Sequence, residues 1–202
     1  CMNAYREDFD SVVVDRRTGM RQAVRLLLES GCRCPAYLVR SSVDRPDQRL
    51  QATLEMHREF GLPPESVRLQ HFDWDGSSEY EVGYETTRRL LEDGPIDGLF
   101  GYNDQLTIGA LWALQEAGLE VPGQVRVIGF DDLPEAAFAR VPLTTVAQPV
   151  QPFVEAVLRL IRHRLRNPGA EPQTETLPTR LVVRASAPQP SIIEKNHFSG
   201  EQ

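Results

Sequence analysis

Five side chains of this chain are suited to gripping a small polar molecule: Arg49, Trp74, Asn103, Asp131 and Gln148. Asp131 follows the apolar run Val125–Phe130 (VRVIGF). A carboxylate there can accept two hydrogen bonds from vicinal hydroxyls or one from a ring N–H, or it can cap a turn. Its neighbour Asp132 is read as the cap of the turn that follows. Asn103 ends one run and opens a helix, where ligand contact and helix capping can coexist. Arg49 opens another helix, and its fork of five donors suits a hydroxyl pair, a carboxylate or a phosphate. Arg45 competes for that role, and a plain surface arginine is the other reading. Trp74 lies in the polar stretch FDWDGSSEYEVGY, where nothing in the periodicity calls for a core aromatic. Stacking on a pyranose or a base suits it, with Phe72 as its rival. Gln148, just after LTTVA, either reaches into a cleft or ties backbone at a crossover.

Catalytic patterns are missing. His57, His71, His163 and His197 are scattered without metal-binding or His–carboxylate spacing. No G-x-S-x-G elbow or phosphate-binding glycine loop occurs, and neither serine nor cysteine has an obvious base. Cys1, Cys32 and Cys34 are an odd set that fits neither a disulfide framework nor a four-ligand zinc site, so reduced thiols are expected. The reading is a non-enzyme without metal or cofactor.

The elements that must position the five residues follow from periodicity. At 202 residues, 41% hydrophobic and 25% charged, the chain can bury the core of one globular unit. The apolar runs Ser11–Asp15, Ala36–Arg40, Val67–Gln70, Ile96–Tyr102, Val125–Phe130, Leu143–Ala147 and Leu177–Arg184 read as strands, with Ile96–Tyr102 central in the sheet. Between them, Thr18–Ser30, Asp47–Phe60, Ser78–Leu91, Asp104–Ala117 and Gln151–Arg166 have helical spacing, several with a glycine stop. Residues 167–176 read as a solvated loop. Recurring β-α units predict an α/β fold, a doubly wound open parallel sheet flanked by helices, with ligands at the carboxyl ends of the strands. The net charge of −7 opposes contact between this surface and a phosphate backbone. No apolar run is long enough for a membrane span, and the first ten residues do not read as a signal peptide.

The stretch GYNDQLTIGALWALQEAGLEVPGQVRVIGFDDLPEAAFARVPLTTVAQPV, residues 101–150, resembles the LacI/GalR family of bacterial transcription regulators. It holds, in order, a strand ending in ND, an I-x-G helix, G-L-x-V-P, V-x-V-I-G-F-D-D and P-L-T-T-V-x-Q. Weaker matches, VVVD-R-x-x-G, Arg49-Leu50, Gly83-Tyr84 and LPTRLVVR-x-S, extend it to about residues 10–186. The resemblance implies a periplasmic-binding-protein-like sensor of two lobes crossed three times by the chain. It divides the sequence into residues 1–10 as a partial linker from a first lobe, 11–144 as the second lobe, 145–176 as a return segment of the first, 177–187 as the second lobe's last strand and 188–202 as a disordered tail. It implies effector contact at Asp131, Asn103, Arg49, Trp74 and Gln148, with a sugar or sugar derivative as effector. It also implies a homodimer through Ile108, Phe138 and Ala139, a cytoplasmic location, and operator DNA bound only by a headpiece outside this chain. The helix at 151–166 is expected to lack part of its sheet partners. The competing reading is a periplasmic sugar-binding protein of a transporter, which shares the fold.

Overall fold

The computed structural model describes residues 8–40, 47–63 and 67–190. Cys1, Arg45, His197 and most of the expected linker and tail lie outside these. The described chain runs β1 (Ser11–Asp15), α1 (Arg16–Glu29), β2 (Pro35–Arg40), α2 (Gln48–Glu59), β3 (Arg68–Phe72), α3 (Glu79–Glu92), β4 (Gly98–Phe100), α4 (Asp104–Glu116), β5 (Arg126–Asp131), α5 (Pro134–Phe138), β6 (Thr144–Ala147), α6 (Val150–Arg166), β7 (Thr174–Pro178) and β8 (Arg180–Val182). Caps explain several boundaries. The Asp15 carboxylate accepts from the N–H groups of Arg17 (2.9 Å) and Thr18 (3.3 Å), and that of Asp47 from Arg49 N–H (3.0 Å). Gly31 and Gly61 take the positive φ that lets the chain leave α1 and α2.

Six strands form one sheet in the order β3-β2-β4-β5-β6-β8, parallel except for the β6–β8 pair. Side chains alternate between its faces. Tyr37, Phe100, Ile128 and Phe130 pack with Met20, Val24 and Leu27 of α1 and Met56 of α2. Ala36, Leu38, Leu99 and Val127 pack on the opposite face with Leu90 of α3 and Leu106 and Leu114 of α4. Helices on both faces make the doubly wound arrangement, with β4 inside the sheet as expected. Helices α3 and α4 cross with almost no separation. A Cβ on Gly109 would collide with the Tyr80 carbonyl oxygen, and one on Gly83 with that of Leu106.

The expected lobe boundaries need three corrections. Strand β1 was placed with the larger sheet, but it pairs in parallel with β7 in a separate two-stranded sheet. That pairing satisfies the backbone groups of β1 in a sheet of its own. Residues 174–176, read as loop, supply the partner. Second, residues 144–147, mostly assigned to the return segment, form β6 inside the larger sheet. Third, the strand expected at 177–184 is broken at Thr179. Thr179 N–H and Oγ1 both donate to the Asp15 carbonyl (3.1 and 2.8 Å), and Oγ1 accepts from Gly19 N–H (3.0 Å), so the chain turns from one sheet to the other. The short helix α5 was not foreseen, because five residues are too few to show a period.

Helix α6 covers the small sheet with only one side. Ala156 and Leu160 join Val12 in a small core, with Phe153, Val157 and Leu177 against it. Val150, Val154, Leu158, Ile161 and Leu165 are exposed, Leu165 by 76%. Arg164 clamps α6 to the segment before β1 through a double ion pair with Asp10 (2.8 and 2.9 Å), which draws the Asp10 carboxyl down to about 2.

Behind the strand ends lies Asp104, at 0% exposure. Its Oδ2 accepts from Leu133 N–H (2.8 Å) and its Oδ1 from the Thr145 hydroxyl (2.6 Å), joining α4 to the ends of β5 and β6. Burial, against these hydrogen bonds, raises its carboxyl from 3.8 to about 6. The folded state therefore holds this proton more tightly than the unfolded chain does. The associated stability is fully present below 3.8 and is lost as pH rises through about 6. Asp104→Asn should flatten that part of the slope, measured by urea unfolding across the interval. Gly109→Ala should cost about 1–3 kcal/mol through overpacking at the α3–α4 crossing, read from the shift in urea midpoint at unchanged m-value.

Candidate functional site

Because β2 to β6 run parallel, their carboxyl ends lie on one edge of the larger sheet. Arg40 and Asp131 end β2 and β5, Trp74 and Asn103 lie just past β3 and β4, and Gln148 follows β6. The topology thus delivers the expected residues to one rim. A cavity of about 450 Å³ opens beside it, lined by Asp131, Leu133 and Gln148 from the rim and by Val14, Phe153 and Val154 from the small-sheet side. That volume is within the usual range for small-ligand sites.

Asp131 and Asp132 both adopt left-handed backbone conformations, φ 118° and 61°. For non-glycine residues this costs about 1–3 kcal/mol each and persists only where the surroundings enforce it. Here Gln148 Nε2 donates to Asp131 Oδ1 (2.8 Å), Arg184 pairs with Asp132 (2.6 Å), and Asp104 holds the N–H of Leu133. Asp132 was expected to cap the next turn. The structure corrects this, since α5 begins after Leu133 with no side-chain cap and the Asp132 carboxylate faces Arg184 instead. The Asp131 carboxyl is raised above its ordinary value by burial, opposed by Gln148 and by the nearby Arg49 charge. It lines the cavity wall. Gln148 thereby joins the ends of β5 and β6 through the Asp131 side chain while also lining the cavity.

Arg49 is largely committed within the protein. Its guanidinium donates to the Asp47 carboxylate (3.0–3.2 Å) and to the Tyr102 carbonyl (2.8 Å). It also lies 3.9 Å from the Tyr102 ring centroid and 5.2 Å from that of Phe130. Burial pulls its pKa down, but the Asp47 interaction outweighs this and the net shift is upward. Asn103 caps α4 through Leu106 N–H (2.9 Å) while its Nδ2 donates to Glu79 (2.7 Å), so the capping reading is realised. Trp74 is 48% exposed, its Nε1–H fixed on the Ser77 carbonyl (2.8 Å) and its ring 5.5 Å from the Arg40 guanidinium. Phe72, its rival, is buried edge-on against Tyr102. The exposed face at this rim therefore belongs to Trp74.

Sequence reasoning overlooked Arg16, Asp47 and Glu79. Arg16 follows strand-ending Asp15 and shares its electrostatic surroundings with Arg49, Asp47 and Asp131. The signal was available, since a polar residue just past a strand is the pattern that singled out Asn103. Away from the rim, Phe138 is 88% exposed and Ile108 7% exposed. Both line an apolar groove of about 500 Å³, shared with Ala139, Trp112 and Leu119. Among the described residues no cluster of His, Cys, Asp or Glu could hold a metal ion. No helix of these residues is long and apolar enough to cross a membrane.

Residues 24–187 match the model of the periplasmic binding protein-like domain family. The chain is 32% identical to the HTH-type transcriptional repressor MelR of Bacillus subtilis over 188 residues, 88% of this chain and 53% of MelR. It is 39% identical to a lactose operon repressor of Rhizobium radiobacter over 113 residues, 55% of this chain and 98% of that protein. Among solved structures, a LacI family transcriptional regulator from Enterococcus faecium with bound ribose superposes at TM-score 0.81 with 26% identity, covering 93% of this chain and 69% of that one. A CelR–cellobiose complex superposes at 0.77 with 30% identity, covering 91% and 55%. The chain spans about half the length of MelR, and likewise 52% of the regulator CelR of Thermobifida fusca. With the domain family matched over residues 24–187, and a lactose operon repressor matched at 39% identity over 98% of its own length, this chain belongs to the periplasmic-binding-protein-like effector domains of the LacI family of transcriptional regulators.

Proposed function

We propose that this chain is the effector-sensing part of a DNA-binding repressor, taking a sugar in the cleft between the rim of the larger sheet and the small sheet. The observation that carries the reading is the strained Asp131–Asp132 pair, held by Gln148, Arg184 and Asp104 so that one carboxylate faces the cavity. The small sheet with α6 is the remnant of the first lobe, and the six-stranded sheet is the second. Asp131 and Asn103 serve hydroxyl groups, the exposed Trp74 stacks on a ring face, and Arg49 and Gln148 hold the rim in shape. Matched relatives are repressors, and two matched structures hold ribose and cellobiose, which favours a cytoplasmic regulator over a periplasmic transport component and over an enzyme. Effector binding biases the relative position of the lobes, and that bias reaches operator DNA through a headpiece beyond these residues.

In a screen of sugars against the full-length protein by thermal shift and calorimetry, Asp131→Ala should weaken the best ligand on the order of tenfold or more. Trp74→Ala should weaken it by a smaller factor. Unchanged affinity in both variants would sink the site assignment. The apolar groove at Phe138 is the proposed homodimer contact, with Ile108 and Ala139 beneath it. Phe138→Asp should convert a dimer to a monomer in sedimentation velocity, and a wild type that sediments as a monomer at high concentration would overturn the contact.

A further inference from the structure

Arg16 opens α1 directly after β1, at the boundary between the two sheets. Its N–H donates to Gln48 Oε1 (3.3 Å), which fixes it beside the start of α2, where Asp47 and Arg49 stand. Its side chain is half-buried, and among the described residues its guanidinium makes no hydrogen bond or ion pair. Its arginine neighbours differ. Arg17 has Glu55 (2.6 Å), Arg21 has Glu59 (2.7 Å), Arg49 has Asp47 (3.0 Å) and Arg184 has Asp132 (2.6 Å). The carboxylates on the rim are engaged elsewhere, Asp47 by Arg49, Glu79 by Asn103 and one oxygen of Asp131 by Gln148. A guanidinium drawn partly out of water beside a second guanidinium, with no hydrogen-bonded acceptor among the described residues, is placed to take an anionic group. Burial and the Arg49 charge push its pKa down, against the opposing charges of Asp47 and Asp131.

We propose that Arg16 is the anchor for an anionic group of the effector, so that the ligand is a polyhydroxylated molecule bearing a carboxylate or a phosphate. Its hydroxyls meet Asp131 and its anion meets Arg16. The inference rests on the sugar-binding reading above and narrows the effector class within it.

The test uses full-length protein and a panel of pentoses and hexoses, each with its sugar acid and its monophosphate, plus inorganic phosphate alone at constant ionic strength. Affinities are compared for wild type, Arg16→Gln, Arg16→Lys and Asp131→Asn. The acid or phosphate form of one sugar should bind roughly tenfold or more tighter than its neutral parent. Which arm wins tells carboxylate from phosphate. Arg16→Gln should erase that preference while leaving the affinity of the neutral parent in place, and Arg16→Lys should keep part of it, which a purely structural role would not produce. Neutral parents binding as tightly as their acids, with loss in Asp131→Asn, would overturn the anchor and keep the sugar reading. Inorganic phosphate raising the melting temperature of wild type but not of Arg16→Gln, with no sugar bound, would uphold the anchor and overturn the sugar reading. An Arg16→Gln protein with wild-type preferences, or a wild type that binds neither sugars nor phosphate, would overturn the anchor.

Discussion

Two hydrogen bonds to a carboxylate sealed inside the protein hold the strand-end rim together. Asp104 sits at the start of α4, and its oxygens reach the N–H after the Asp131–Asp132 pair and the hydroxyl of Thr145 in β6. A desolvated carboxylate is costly unless its lone pairs are satisfied, so the two acceptor bonds and the geometry of the rim stand or fall together. Gly129 lies close against the same carboxylate, where a Cβ would strike Oδ1. The left-handed conformations at 131 and 132 are thus enforced from below by Asp104, from one side by Gln148 and from the other by Arg184. Local sequence preference would not choose that backbone.

The alternation of short apolar runs with helical stripes made the larger sheet readable from sequence, because strands buried on both faces and helices covering them leave strong periodic signals. It also brought Asn103, Asp131 and Gln148 to one edge through the rule that parallel strands end together. What escaped was decided by partners far along the chain. Nothing local in Ser11–Asp15 tells whether its neighbour is β7 or β2. The break at Thr179 exists because one hydroxyl meets the backbone of Asp15 and Gly19. Asp132 looked like a turn cap because its partner Arg184 is 52 residues away.

Side-chain roles were less readable than positions. Arg49 stands where expected, but three of its donor nitrogens are turned to Asp47 and Tyr102, so much of its fork serves the scaffold. Arg16, less conspicuous in sequence, keeps the freer guanidinium. Such inversions are common where several charges share a rim, since which cation takes the resident carboxylate depends on a few ångströms of helix placement. The stripe on α6 shows the same limit. Its spacing announced an amphipathic helix, while the small sheet covers only the Ala156 and Leu160 side and leaves Leu158, Ile161 and Leu165 in solvent.

The chain passes between its two sheets three times, after Asp15, between Ala147 and Val150, and across Thr179. Thr179 binds the first and third passages into one strap. Through these passages the position of the small sheet is tied to the rim of the larger one. Helix α6 starts at one of these passages and, at 17 residues, extends about 25 Å from it. A turn of about 10° about an axis crossing the helix would carry its far end roughly 4 Å over that length. Were an effector to turn the small sheet by that much, the far end of α6 would move by about the breadth of a side chain.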